Sequence, residues 1–248
     1  MFDYNSVNLA WSTTDTHLFV PIITSLIGFA VFWFISKSER IKAKYYAKYS
    51  FDIASVKHIY FTKIVGFVTM GVLPVLGCFL FTDFNTFESL GLILSVPTLP
   101  YSLAWIVGLA ILVMPITYFS AQKAKNLVNY PQIRAKIWTQ KTVILNIVGW
   151  SLYLLGYEVL FRGVLLFPLV EYMGVWPAIA VNIALYSATH IPKGMDETIG
   201  AAPLGLVLCL LTLASGSLLI AFVIHIVLAL TNSFTALKFH PEINYQKE

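Results

Sequence analysis

TVILNIVGWSLYLLGYEVLFRGVLLFPLVEYMG, residues 142–174, is the stretch on which the fold turns. Its thirty-odd residues are nearly all apolar, and as a helix at about 1.5 Å per residue they reach ~45 Å. That exceeds the ~30 Å hydrocarbon core of a bilayer. Such a segment crosses a membrane tilted, kinked near Gly156 or Pro168, or split.

Working outward, this fourth span, 142–172, has neighbours of the same character at 18–36, 64–82, 101–120, 175–190, 199–214 and 217–237. The 248 residues are 58% hydrophobic and 11% charged, with mean hydropathy +0.78, whereas soluble domains carry roughly 25% charged residues. A soluble enzyme is excluded. The fold class is all-α: a polytopic transmembrane helix bundle of about seven spans. Seven spans of about 20 residues occupy roughly 140 positions, so no separate soluble domain fits. The expected organisation is a three-span membrane region over 1–141, a membrane domain over 142–237 and a short polar tail over 238–248.

Cys78 and Cys209 both sit in apolar runs, which reads as packing rather than as a disulfide framework or a thiolate metal site. No basic residue precedes the first apolar run, so no cleaved signal peptide is expected and the first span stays in the mature protein. The loops 37–63 and 121–141 hold twelve of the sixteen Lys and Arg residues, while 1–17 and 83–100 carry Asp3, Asp15, Asp83 and Glu88 and no basic residue. The positive-inside rule puts the N-terminus outside and both basic loops and the tail in the cytoplasm. The net charge of +4 then faces anionic lipid headgroups; no nucleic-acid motif is present. Lys42–Tyr49 (KAKYYAKY) reads as a solvated loop ahead of the alternative, an amphipathic surface helix.

Ionisable groups inside spans cost about 2.5–3.5 kcal/mol on insertion scales. Glu158 and Arg162 lie four apart, on one helix face; alone they read equally well as a buried structural ion pair. Asn182, Tyr186 and His190 follow at four-residue steps and form a polar stripe on the fifth span, with interhelical hydrogen bonding sufficient to explain the first two. His190 stands where the helix breaks at HIPKGMDE, near Asp196 and Glu197. His225 lies amid apolar residues of the seventh span, and Asn232, seven positions on, points the same way roughly 10 Å along the axis. Each residue singly is more simply structural. Titratable positions on three late spans together point to a shared intramembrane site.

A glutamate, two histidines and an amide in a dry pocket suit amide hydrolysis: carboxylate and histidine activate water, while histidine and asparagine stabilise the oxyanion. HExxH is absent, and Arg162 competes for the carboxylate that a zinc held by His190 and His225 would need. No metal or other cofactor is expected.

The ordered set GYEVLFRG, YSATH and HIVLALTN resembles the CAAX prenyl endopeptidase and Abi (CPBP) family of intramembrane glutamic endopeptidases, whose motifs are EExxxR, FxxxH and HxxxN. The likeness covers roughly residues 130–235 and marks 142–237 as the CAAX protease/Abi-like domain. It implies peptide-bond hydrolysis within the membrane, a membrane-associated peptide or protein substrate, in some members a prenylated CAAX tail, and, through the family's bacterial members, a bacterial plasma membrane. Glu158 and Arg162 match the second glutamate and the arginine of the first motif. Tyr157 replaces its first glutamate, the presumed base. His190 inherits water activation, with Tyr186 for the phenylalanine an exchange expected to change little. His225 matches the third motif, but Ala229 stands where its asparagine belongs, so Asn232 is expected to substitute. Glu197 is a further acid of the kind some relatives carry.

The sequence thus reads first as an intramembrane endopeptidase using Glu158, Arg162, His190, His225 and Asn232. The second reading is a non-catalytic relative, a partner-binding or immunity-type protein, with Tyr157 marking a lost base. A transporter is disfavoured because no pair of matching broken helices appears in two halves.

Overall fold

Ser12 starts the first membrane helix: its hydroxyl accepts the Asp15 amide, and the Asp15 carboxylate accepts the Ser12 amide in return, closing two donors that a helix start leaves open. The computed structural model describes residues 9–247, save the side chains at positions 193 and 196. Asp3 and the side chain of Asp196 therefore lie outside the described residues. The chain continues through α1 (Thr13–Ser36), α2 (Glu39–Lys48), α3 (Phe51–Phe81), α4 (Leu99–Ala121), α5 (Gln140–Met173), α6 (Val175–Ala188), α7 (Met195–Ser215) and α8 (Leu219–Phe239). The expected all-α bundle is what forms.

Among the described residues six helices are long and apolar enough to cross a membrane; α6, with 14 residues, is the shorter apolar one. At about 21 Å it falls short of the ~30 Å core by itself. Contacts at the two ends of the bundle decide its role. At one end His17 Nε2 lies 3.2 Å from Asp83 Oδ2 and its ring stacks on Tyr172. There too Thr98 Oγ1 donates to Ser215 O at 2.6 Å and Leu218 N to Gly91 O at 3.1 Å. At the other end Lys136 N donates to Asp52 Oδ1 at 2.9 Å, and β1 (Ile137–Trp138) pairs in parallel with β2 (Asn244–Tyr245). The chain starts α1 at the first end and finishes at the second, which takes an odd number of passes. Six long helices supply an even number, so α6 with the turn after it completes a seventh.

The second span begins at Phe51, thirteen residues before the expected 64. Lys57, His58 and Lys63 hid its first half. Lys63 is buried, its Nζ 3.0 Å from the Trp150 ring centroid and 4.4 Å from that of Tyr153, and a cation over aromatic faces does not need to end a helix. Lys42–Tyr49, expected as loop, lies largely in α2, which Ser38 caps by accepting the Ile41 amide.

α3 and α5 each contain a widened turn, at Phe67–Val72 and Val159–Val164, the irregularity at which long helices bend. In the second, Leu165 N reaches back five residues to Leu160 O at 2.9 Å, so the irregular turn of α5 lies between Gly156 and Pro168, the two residues near which a kink was expected. The bends touch: a Cβ on Gly156 would sit 2.7 Å from Phe67 Cα, and small residues let backbones approach where lipid gives no hydrophobic drive. α4 packs Leu109 against Ile220 and Ile224 of α8 and turns Leu103, Val107, Ile111 and Phe119 outward, the apolar exterior that a bilayer solvates.

Candidate active site

The widened turn of α5 breaks the regular hydrogen-bond ladder and leaves the Phe161 carbonyl facing α6. Asn182 Nδ2 donates to it and to Leu165 O at 3.3 Å. Its Oδ1 accepts from Arg162 at 3.5 Å and from the Cys209 thiol of α7 at 3.3 Å. This fully buried amide thus repairs the bend and holds the guanidinium, as a buried polar group in hydrocarbon must be satisfied.

Arg162 and Glu158 are both fully buried, with Nε 3.6 Å from Oε2. The guanidinium carbon lies 4.7 Å from the Tyr186 ring centroid. The other Glu158 oxygen, Oε1, meets His225 Nδ1 on α8, and His225 Nε2 lies 2.9 Å from the Tyr186 hydroxyl on α6. One carboxylate therefore ties a cation on its own helix to an imidazole on another.

Beside this chain runs a second. Thr189 Oγ1 donates to Tyr186 O at 2.7 Å, so the Tyr157 hydroxyl, 2.8 Å away, donates to Thr189. His190, in the turn after α6, holds Nδ1 2.9 Å from Tyr186 O. The Tyr157 ring lies 6.5 Å from the His190 ring and 6.1 Å from that of His225. An apolar cavity of about 240 Å³, lined by Phe29, Trp33, Phe34, Ala188, Pro192 and Thr189, opens between α1 and this turn.

Of the residues singled out in the sequence, Glu158, Arg162 and His225 converge, and His190 stands one tyrosine ring away. Asn232 does not join them: its Oδ1 accepts from Asn126 at 2.8 Å, because a shared direction does not cancel ~10 Å along a helix axis. Glu197 is exposed on the first turn of α7. The interhelical hydrogen bonding expected of Asn182 and Tyr186 is present, while the bonding of Thr189 and Tyr157 to each other escaped sequence reading. The four-residue stripe marked Asn182 and Tyr186, but nothing in it names their partners. Among the described residues no three His, Cys, Asp or Glu side chains gather as a cation cage.

A carboxylate, a guanidinium and two imidazoles inside seven membrane passes define a multi-pass membrane protein with an intramembrane polar site. Residues 138–231 match the family described as type II CAAX prenyl endopeptidase Rce1-like. Over that region the chain is similar to the CAAX prenyl endopeptidase and Abi (CPBP) family. Among curated proteins and solved structures none matches the chain.

Proposed function

We propose that the chain hydrolyses a peptide bond of a membrane-associated substrate, with a prenylated CAAX-type tail the class its family points to. The observation that carries this reading is the Glu158 carboxylate held between Arg162 and His225. A carboxylate on one ring nitrogen fixes the tautomer of an imidazole and stabilises the imidazolium that forms when the other nitrogen takes a proton. His225 is then the proton acceptor for water. Glu158, with one oxygen on His225 and the other toward Arg162, orients it, so the base role expected of Glu158 passes to its partner. His190 flanks the water, and Asn232 has no part.

One observation favours the second reading, a non-catalytic relative: Tyr157, where the family pattern has its first glutamate, spends its hydroxyl on Thr189. The two readings separate in vesicles carrying the purified protein and a peptide that ends in an S-farnesylated cysteine and three further residues. Under the first, mass spectrometry finds the released tripeptide with wild type, also after exhaustive chelation, and finds none with His225→Asn. Under the second, wild type releases nothing and Tyr157→Glu, restoring the acid pair, starts release. Release that survives His225→Asn overturns the assignment.

The same reading carries the orientation taken from the basic loops: N-terminus outside, residues 37–50 and 122–139 in the cytoplasm. Cysteines at Lys44 and Lys125 should resist a membrane-impermeant thiol reagent in intact cells, and one at Glu88 should react. The reverse pattern inverts the topology.

A further inference from the structure

Tyr186 joins three membrane helices through one side chain. It is 1% exposed, lies under the Arg162 guanidinium, and has the His190 and His225 rings at 4.8 and 6.0 Å. Its hydroxyl is 2.9 Å from His225 Nε2. A phenylalanine here would fill the same apolar space and leave that nitrogen bare. The tyrosine therefore adds to the site a contact with His225 that a phenylalanine cannot make.

Donor and acceptor rules fix the direction of each bond. An ionised carboxylate only accepts, so Glu158 Oε1 beside His225 Nδ1 requires a proton on Nδ1. In the neutral ring Nε2 is then a lone pair, and a hydroxyl 2.9 Å from it must donate. Glu158, Arg162 and Tyr157 come to this region from α5, and Tyr186 and His190 from α6 and its turn. α4 and α7 meet α8 through apolar residues, among them Leu109, Leu208 and Leu211.

We propose that Tyr186 is a positioning residue: by donating to Nε2 it holds His225 in the Nδ1-protonated tautomer, its ring plane locked between α5 and α6. The lone pair needed for proton transfer is thereby kept on Nε2 until a water takes the place of the phenol. The consequence for catalysis rests on the hydrolytic reading; the hydrogen bond does not.

The test is ¹⁵N NMR of the His225 ring in lipid nanodiscs, combined with cleavage of the farnesylated peptide. Wild type should show a protonated Nδ1 and a hydrogen-bonded Nε2, and in Tyr186→Phe the Nε2 signal should move to its unbonded position. kcat should fall about 10-fold to 100-fold with little change in KM, the signature of a displaced reacting group. Should the phenylalanine variant fail to fold, 3-fluorotyrosine at position 186 keeps the shape and alters only the acidity of the hydroxyl, and it too should shift Nε2. An Nε2 signal unmoved by either change overturns the proposal, as does a moved signal with unchanged kcat. If wild type cleaves nothing while the signal moves as expected, Tyr186 positions His225 and the hydrolytic reading alone falls.

Discussion

α3 and α5 are two long membrane helices interrupted by the same kind of widened turn, and only that of α5 carries ionisable groups. The widened turn of α3, Phe67–Val72, offers Thr69, Met70 and Gly71, and the Thr69 hydroxyl is spent on its own helix, on Val65 O at 2.9 Å. The widened turn of α5 begins after Glu158 and contains Arg162, and its open carbonyl is taken by Asn182 of another helix. A wide turn alone makes a packing joint. It becomes a candidate site when the groups it displaces are bound from neighbouring helices, which commits four helices to one cluster.

The sharpest way to break this contrast is Arg162→Ala. It leaves the Glu158 carboxylate buried without its cation and should cost about 3–5 kcal/mol, read as reduced unfolding free energy in detergent. Thr69→Val at the other bend should cost less than about 1 kcal/mol, the scale of one neutral hydrogen bond. Equal losses at both bends would mean that α3 carries a network of its own.

Next in size is the joint where the bends meet. Gly156→Ala pushes a methyl to 2.7 Å from the Phe67 backbone and should destabilise by about 1–3 kcal/mol. Gly108→Ala on α4, with nothing within 4 Å, should cost nothing in the same titration. A tolerated Gly156→Ala would show that the bends need no close approach.

The smallest effect concerns the ends where both helices are tethered. The Asp52 carboxylate at the start of α3 accepts the Lys136 and Ile137 amides, and β1 leads into α5 with the tail strand β2 alongside. Arg134 beside this strap contacts His240 Nε2 at 2.9 Å and also donates to the Leu127 and Val128 carbonyls. Burial first and the Arg134 charge second hold the His240 imidazole below its ordinary 6.5, with Glu242 opposing. A depressed histidine disfavours the folded strap as it takes up a proton. The strap is therefore firm above pH 6.5 and loosens as pH falls through the lowered value. The protection factors of the Asn244 and Gln246 amides, which donate to Lys136 O and Trp138 O, should fall on acidification once hydrogen exchange is corrected for its intrinsic pH dependence. His240→Phe should remove the pH dependence.

Hydropathy made the bundle legible, because lipid-facing helices declare themselves by what they lack. It failed at α3, where Lys63 counted as a loop charge although Trp150 and Tyr153 cover it in the interior. The cluster was legible through residues that membranes tolerate poorly, Glu158, Arg162 and His225. Asn232 was expected to stand in for Ala229 because it shares the direction of His225, but the ~10 Å between them along the axis brings it to Asn126 instead. The contact of the Tyr186 hydroxyl with His225 was not legible, because it joins two helices and lies in the packing.

The central claim is that the Glu158–His225 pair carries a hydrolytic reaction. Glu158→Gln tests it most directly, since the amide keeps the size of the side chain and removes its charge. With folded protein confirmed by a retained cooperative melting transition at the assay temperature, release of the C-terminal tripeptide from the farnesylated peptide should fall at least about 100-fold, the scale of a lost acid–base contribution. Release by Glu158→Gln at the wild-type rate would contradict the account.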